Sequence, residues 1–174
     1  MTQNQSYDRM SQLFHWILAA AIVLLILYHP STEEGHAPAS ALTTSIHASL
    51  GTLALLLVLG RMVWRVHFAQ VPATPEGANW QLRLRRYTHL ALYLFMLSAP
   101  ILGAAVSLST EFPVRVFGLV EIPRMLSSES AHGLLRSLHG FSADLLLYLG
   151  SLHIAAALYH QYWLRDNLMG RMMD

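Results

Sequence analysis

Four long apolar runs, at positions 11–28, 43–66, 87–108 and 138–163, alternate along the chain with short polar segments. Each is close to or longer than the roughly 17 to 25 residues with which a helix crosses a bilayer, so the pattern predicts four membrane-spanning helices. The segments between them carry helix breakers: "HPSTEEGHAPAS" (29–40) holds Pro30, Gly35 and Pro38, and "HFAQVPATPEG" (67–77) holds Pro72 and Pro75. The longest connection, 109–137, contains "EFPVRVFGLVEIP", whose β-branched and aromatic residues between prolines predict a short strand or hairpin on the outer face. After it, "SSES" supplies cap residues for a helix that begins near Ser128 and runs into the fourth span. Pro100 lies inside the third span and should kink it, with a neighbouring helix satisfying the freed carbonyl. Four spans in 174 residues leave little chain for anything else. The expected fold is an all-α integral membrane protein, a single four-helix bundle domain covering 1–174.

Composition supports this reading. Hydrophobic residues make up 54% and charged residues 12%, against about one quarter charged in soluble domains. The first run is longer than the apolar core of a secretory signal and follows a polar head with only Arg9, so it is read as a retained span. The chain has no cysteine, which excludes disulfides, thiolate-held iron–sulfur clusters and haem attached through C-x-x-C-H. All cations are arginines. If four helices alternate, Arg9, Arg61, Arg65, Arg83, Arg85, Arg86, Arg165 and Arg171 fall on one side. Only Arg115, Arg124 and Arg136 fall on the other, offset there by Glu33, Glu34, Glu111, Glu121 and Glu129. The positive-inside rule then puts both termini in the cytoplasm. A net charge of +1 without a basic stripe excludes nucleic acid as a partner.

The ten histidines carry the chemistry. His139 and His153 are about 21 Å apart along a helix axis and only about 40° apart around it, and His160 continues nearly the same face about 10 Å further. Alternating helix direction places His47, near the start of the second span, at the depth of His139. His15, near the start of the first, then falls nearer the depth of His153. Two neutral imidazoles facing each other from different helices are what a six-coordinate b-type haem requires, so the pattern predicts two haem b groups with His47/His139 and His15/His153 as axial ligands. Gly51, one turn after His47, and Gly150, one turn before His153, leave room for a flat ring on the ligand face. The same histidines also suit hydrogen bonds between helices, the ordinary use of polar groups in a bundle. A bare zinc or copper ion fits less well, because the ligands lie at two depths.

His89, at the start of the third span, competes with His15 as the partner of His153, or hydrogen-bonds a propionate or a quinone. His29, His36, His67 and His132 are read as solvated loop or helix-end residues. Asp144, an acid inside the fourth span about 140° from His139, either accepts a proton or hydrogen-bonds a neighbouring hydroxyl such as Ser98. Arg61 and Arg9 at one end and Arg136 at the other sit at depths suited to propionates as well as to topology. Trp16, Trp64, Trp80 and Trp163 read as interface anchors.

The segments "QLFHWILAA", "SIHASLGTLALLLVLGRMVWRV", "THLALYLFMLSAPILG", "RVFGLVEIP" and "SLHIAAALYHQYWLRDNLMGRM" together resemble the bacterial cytochrome b561 family over nearly the whole chain. The resemblance implies a four-helix, two-haem protein of the bacterial inner membrane with the ligand pairs named above. It also implies a superoxide:ubiquinone oxidoreductase activity, with electrons passing from superoxide at the outer face to membrane ubiquinone, and it places His160 near the quinone as a proton donor. The alternative use of such a bundle is a membrane-anchoring electron-transfer subunit for a redox partner protein, either a periplasmic cytochrome or a dehydrogenase.

Overall fold

The computed structural model describes residues 6–30, 41–72 and 79–173. The expectations placed on Glu33, Glu34, Gly35, His36, Pro38 and Pro75 lie outside them. Four helices, α1 (Arg9–Leu27), α2 (Ala41–His67), α3 (Asn79–Ser107) and α4 (Glu129–Tyr159), are each long and apolar enough to cross a membrane. The third begins at Asn79 rather than near Tyr87, so Arg83, Arg85 and Arg86 are helical and not in a loop. A helix satisfies its own backbone groups, so it continues past the apolar run into a polar environment. It also passes through Pro100 as one element. α4 starts where the sequence indicates: the Ser128 side chain caps it by accepting the Ala131 N–H.

Between α3 and α4, the strands β1 (Val114–Val116) and β2 (Val120–Ile122) pair antiparallel, with Arg115 opposite Glu121. Phe117 and Gly118 both have positive φ at the turn, the sense that matches the twist of a tight hairpin. The hairpin lies on α2. Val114 is fully buried, and the N–H groups of Arg115 and Phe117 donate to Ser45 Oγ and Ser49 Oγ at 3.0 and 2.7 Å.

Sequential helices pack side by side, most extensively α3 with α4, followed by α1 with α2 and α2 with α3. By contrast, α4 makes at most marginal contact with α1 and α2. The common core is small: Leu18 and Ala21 of α1 meet Ala54 and Val58 of α2, with Tyr93, Met96 and Leu97 of α3 against them. Leu27, Leu56, Leu90, Ile101 and Leu152 are all more than half exposed. The accessible surface is 12145 Å², against about 8,500 Å² for a soluble monomer of this mass. A bilayer is the solvent that covers such helices without penalty.

One polar cluster ties the chain ends to the bundle. Asp8 caps α1, accepting the Ser11 N–H and hydroxyl at 3.0 and 2.8 Å, and also accepts Trp64 Nε1–H at 2.9 Å and the Gln70 N–H at 3.1 Å. Trp16 Nε1–H donates to the Met172 carbonyl, and the Tyr7 N–H to the Arg171 carbonyl, both at 2.9 Å. Partial burial alone would raise the Asp8 pKa, but the bonds from Ser11, Trp64 and Gln70 outweigh it and hold the carboxyl below its ordinary range. A depressed folded-state pKa means that the stabilisation is whole above the unfolded value of about 3.9 and disappears as pH falls through the folded value. Asp8→Ala is therefore expected to lower the thermal midpoint in detergent at pH 7, with about 1 kcal/mol from the cap alone. The gap to wild type should close in acid below about pH 4; a gap of constant size down to pH 3 would contradict this account.

Candidate functional site

At the hairpin end of the bundle, His47 of α2 faces His139 of α4 with ring centres 6.1 Å apart and planes at 86°. Each ring is anchored through Nδ1 to a backbone carbonyl, His139 to Ala99 at 2.8 Å and His47 to Tyr28 at 3.3 Å. A carbonyl only accepts, so Nδ1 carries the proton and Nε2 keeps its lone pair as a ligand atom. Gly103, one turn after Ala99, makes this possible, because a Cβ there would lie 3.0 Å from Cε1 of His139.

At the termini end, His153 of α4 meets two imidazoles. His15 of α1 lies 6.3 Å away with planes at 68°, and His89 of α3 lies 5.7 Å away at 81°. His89 Nδ1 donates to the Arg85 carbonyl at 2.7 Å, leaving its Nε2 open as well. Arg61 of α2 reaches across this end, with Nε on Tyr93 Oη at 3.0 Å and Nη1 on the Ser11 carbonyl at 3.1 Å. The structure thus brings together all four sequence-predicted ligands in their predicted pairs and adds His89 at the same place.

Two imidazoles on opposite faces of one metal, each bonded at about 2 Å, have ring centres about 6 Å apart. The facing pairs have that spacing. The helices that carry them, α1 with α4 and α2 with α4, are also the ones that do not pack against each other. A flat macrocycle needs both features, ligand atoms in reach and backbones apart. Gly51 and Gly150 fit as well, since a Cβ at either position would meet no atom within 4 Å. Among the described residues, no three His, Cys, Asp or Glu side chains converge on one point as a bare metal ion requires. The residues present therefore fit a b-type haem at each end.

His160 stands apart from these pairs, at the end of α4, where its Nδ1 meets Asp166 Oδ2 at 2.5 Å. Other expectations change. Ser98 pairs with Ser142 Oγ at 2.9 Å and not with Asp144, which is exposed on the far side of α4. His132 is a half-buried helical residue bonded through Nδ1 to Ser109 Oγ at 2.8 Å, not a solvated loop residue, whereas His29 and His67 are exposed as expected. Gly103 and the carbonyls of Ala99 and Tyr28 were not singled out from the sequence. The only available signal was the small-residue spacing Ala99, Gly103, Ser107 along one face of α3.

Residues 6–174 match the prokaryotic cytochrome b561 family. The chain is 27% identical to a probable superoxide oxidase of Yersinia pestis, an alignment covering 98% of this chain and 97% of that one. It is 24% identical to cytochrome b561 homolog 1 of Escherichia coli over 91% of this chain and 92% of the relative. To homolog 2 of the same organism it is 25% identical over 97% and 92%.

The close approach at Gly103 leads to a test. Gly103→Val sets a branched carbon against the His139 ring and is expected to weaken haem binding at the hairpin end about tenfold, the lower end for disturbing a group that orients a ligand. Gly133→Val, on the same bundle but with no atom within 4 Å of its Cβ, should leave haem content unchanged. Equal retention of haem by the two variants during dilution with apomyoglobin as acceptor would refute the role given to Gly103.

Proposed function

The chain belongs to the prokaryotic cytochrome b561 family, and from that premise we propose that it is a di-haem b oxidoreductase of the bacterial inner membrane. In this reading both termini are cytoplasmic, and electrons pass from superoxide at the hairpin face to ubiquinone in the membrane. The observation that carries the reading is the facing of imidazoles across helices that do not pack, 6.1 Å at one end and 6.3 Å at the other. Haem b, when bound by these imidazoles, would supply a one-electron carrier.

The chain's residues divide the work. His47 and His139 would hold one group, and His15 and His153 the other. His15 is preferred over His89 on packing grounds, because α3 and α4 make the most extensive helix contact in the bundle, whereas α1 and α4 stand apart. His89 is then a hydrogen-bonding group beside the site, and Arg61, fixed by Tyr93 and the Ser11 carbonyl, is the cation available to a propionate. At the hairpin face Arg115 is paired with Glu121 at 3.1 Å, and Arg124 and Arg136 are exposed there beside the exposed Glu111 and Glu129, so attraction of an anionic donor would depend on local placement of these arginines and not on a net positive face.

The proposed reaction balances. Two superoxide anions give up one electron each and leave as dioxygen, and the quinone takes both electrons and two protons to become quinol. His160 is the residue assigned to deliver a proton, since an imidazole N–H can donate to a quinone oxygen.

A pyridine haemochrome assay on purified, detergent-solubilised protein should give two haem b per chain, and none would overturn the reading. His47→Ala and His139→Ala should each remove the same haem spectrum, and His15→Ala and His153→Ala the other. Loss of the second spectrum in His89→Ala but not in His15→Ala would replace His15 by His89 as the ligand. Superoxide from xanthine oxidase should drive reduction of a short-tailed ubiquinone by the pure chain; if it does not while haem is present, the donor assignment fails.

A further inference from the structure

We propose that Asp166 is the positioning residue for His160, fixing the tautomer and orientation in which that imidazole hands a proton to the quinone. The inference rests on the assignment of His160 to the quinone in the preceding reading, and it adds a residue and a geometry.

The chain makes this contact by abandoning the α-helix. α4 ends at Tyr159 and continues as a five-residue π turn, His160–Leu164. Arg165 and Asn167 then take positive φ, 54° and 53°, a conformation uncommon for residues other than glycine. On an uninterrupted helix, residue 166 would lie about 9 Å along the axis and about 120° around it from residue 160. The reversal instead brings the Asp166 carboxylate onto the His160 ring. The Arg165 N–H closes the turn by bonding the His160 carbonyl. Single π turns and left-handed residues carry strain and recur at functional sites.

The carboxylate itself is held. Its Oδ1 accepts the Leu168 N–H at 3.2 Å, while Oδ2 takes His160 Nδ1. With Nδ1 committed to Asp166, the ring exchanges protons through Nε2 alone. The His160 and Asp166 side chains are 34% and 43% exposed, so the pair is open at the surface of the bundle near the terminus. Tyr159 stands edge-on to the His160 ring and stacks on Trp163, ring centres 6.4 Å apart, forming an aromatic wall beside it. The step is that of an oriented acid: imidazolium releases Nε2–H to a quinone oxygen as the quinone takes its electrons, keeps Nδ1–H on Asp166, and recovers its proton from water.

The test uses the full holoprotein and two readouts. In dithionite-reduced protein with ¹⁵N-labelled histidine, the His160 resonances are assigned by their loss in His160→Gln. Neutral His160 should be the Nδ1–H tautomer in wild type, and a mixture or the Nε2–H form in Asp166→Ala and Asp166→Asn. Stopped-flow re-oxidation of chemically reduced protein by short-tailed ubiquinone removes any dependence on the donor. The maximal rate should fall about tenfold or more in both Asp166 variants, with half-saturation and haem content unchanged, and Asp166→Glu should recover most of it. If His160→Gln is slow while the Asp166 variants keep the wild-type rate, the positioning role is wrong and the assignment of His160 stands. If His160→Gln itself reacts at the wild-type rate, that assignment fails and takes this inference with it. A changed tautomer with an unchanged rate also overturns the role.

Discussion

The seam between α3 and α4 holds the rest of the molecule in place. α4 carries His139, His153 and His160, yet it scarcely touches α1 or α2, so its rotation and depth are set chiefly by α3. Small residues allow the two helices to approach, and polar contacts fix their register. Gly103 admits the His139 ring, the Ala99 carbonyl accepts its proton, and Ser98 pairs with Ser142 one turn further along α4. In hydrocarbon such packing and hydrogen bonds supply what the hydrophobic effect supplies in water. A tight seam on one side lets α4 stand away from α1 and α2 on the other, where the imidazoles face one another.

Both ends of the bundle are closed by contacts that do not run through this seam. At one end the hairpin lies on the start of α2, with Val114 as its buried anchor and Ser45 and Ser49 taking the backbone donors of the strand and turn. At the other, Asp8 collects donors from α1, α2 and the residues after α2, and the C-terminal segment returns to Trp16 and Tyr7. These clamps limit how far α1 and α2 can drift from α3, and so preserve the 6 Å spacings across the gap to α4.

His47, His89, His139 and His160 fall into two chemical classes by what holds Nδ1. His47, His89 and His139 are held by backbone carbonyls, which select a tautomer of the neutral ring and expose Nε2 as a ligand or hydrogen-bonding atom. His160 is held by a carboxylate near water. Such a partner orients the ring and also balances the charge of an imidazolium, the requirement of a group that trades protons. One residue type thus presents two different surroundings in a single bundle through its second contact.

Much of this was legible in the sequence because helices and hairpins are local. Apolar run length marked the spans, prolines and β-branched residues marked the hairpin near 114–122, Ser128 marked the start of α4, and the helical period put His47, His139, His15 and His153 at two matching depths. What the period could not decide was rotation about each axis, which only the α3–α4 seam settles. That is why Ser98 meets Ser142 and leaves Asp144 outside, why His89 joins His15 at His153, and why Gly103 matters. The start of α3 was equally hidden, since a helix that satisfies its own backbone keeps going past the apolar run, as α3 does from Asn79. The His160–Asp166 contact lay furthest from the sequence, because it depends on positive φ at Arg165 as well as at Asn167, and only asparagine of the two favours that region.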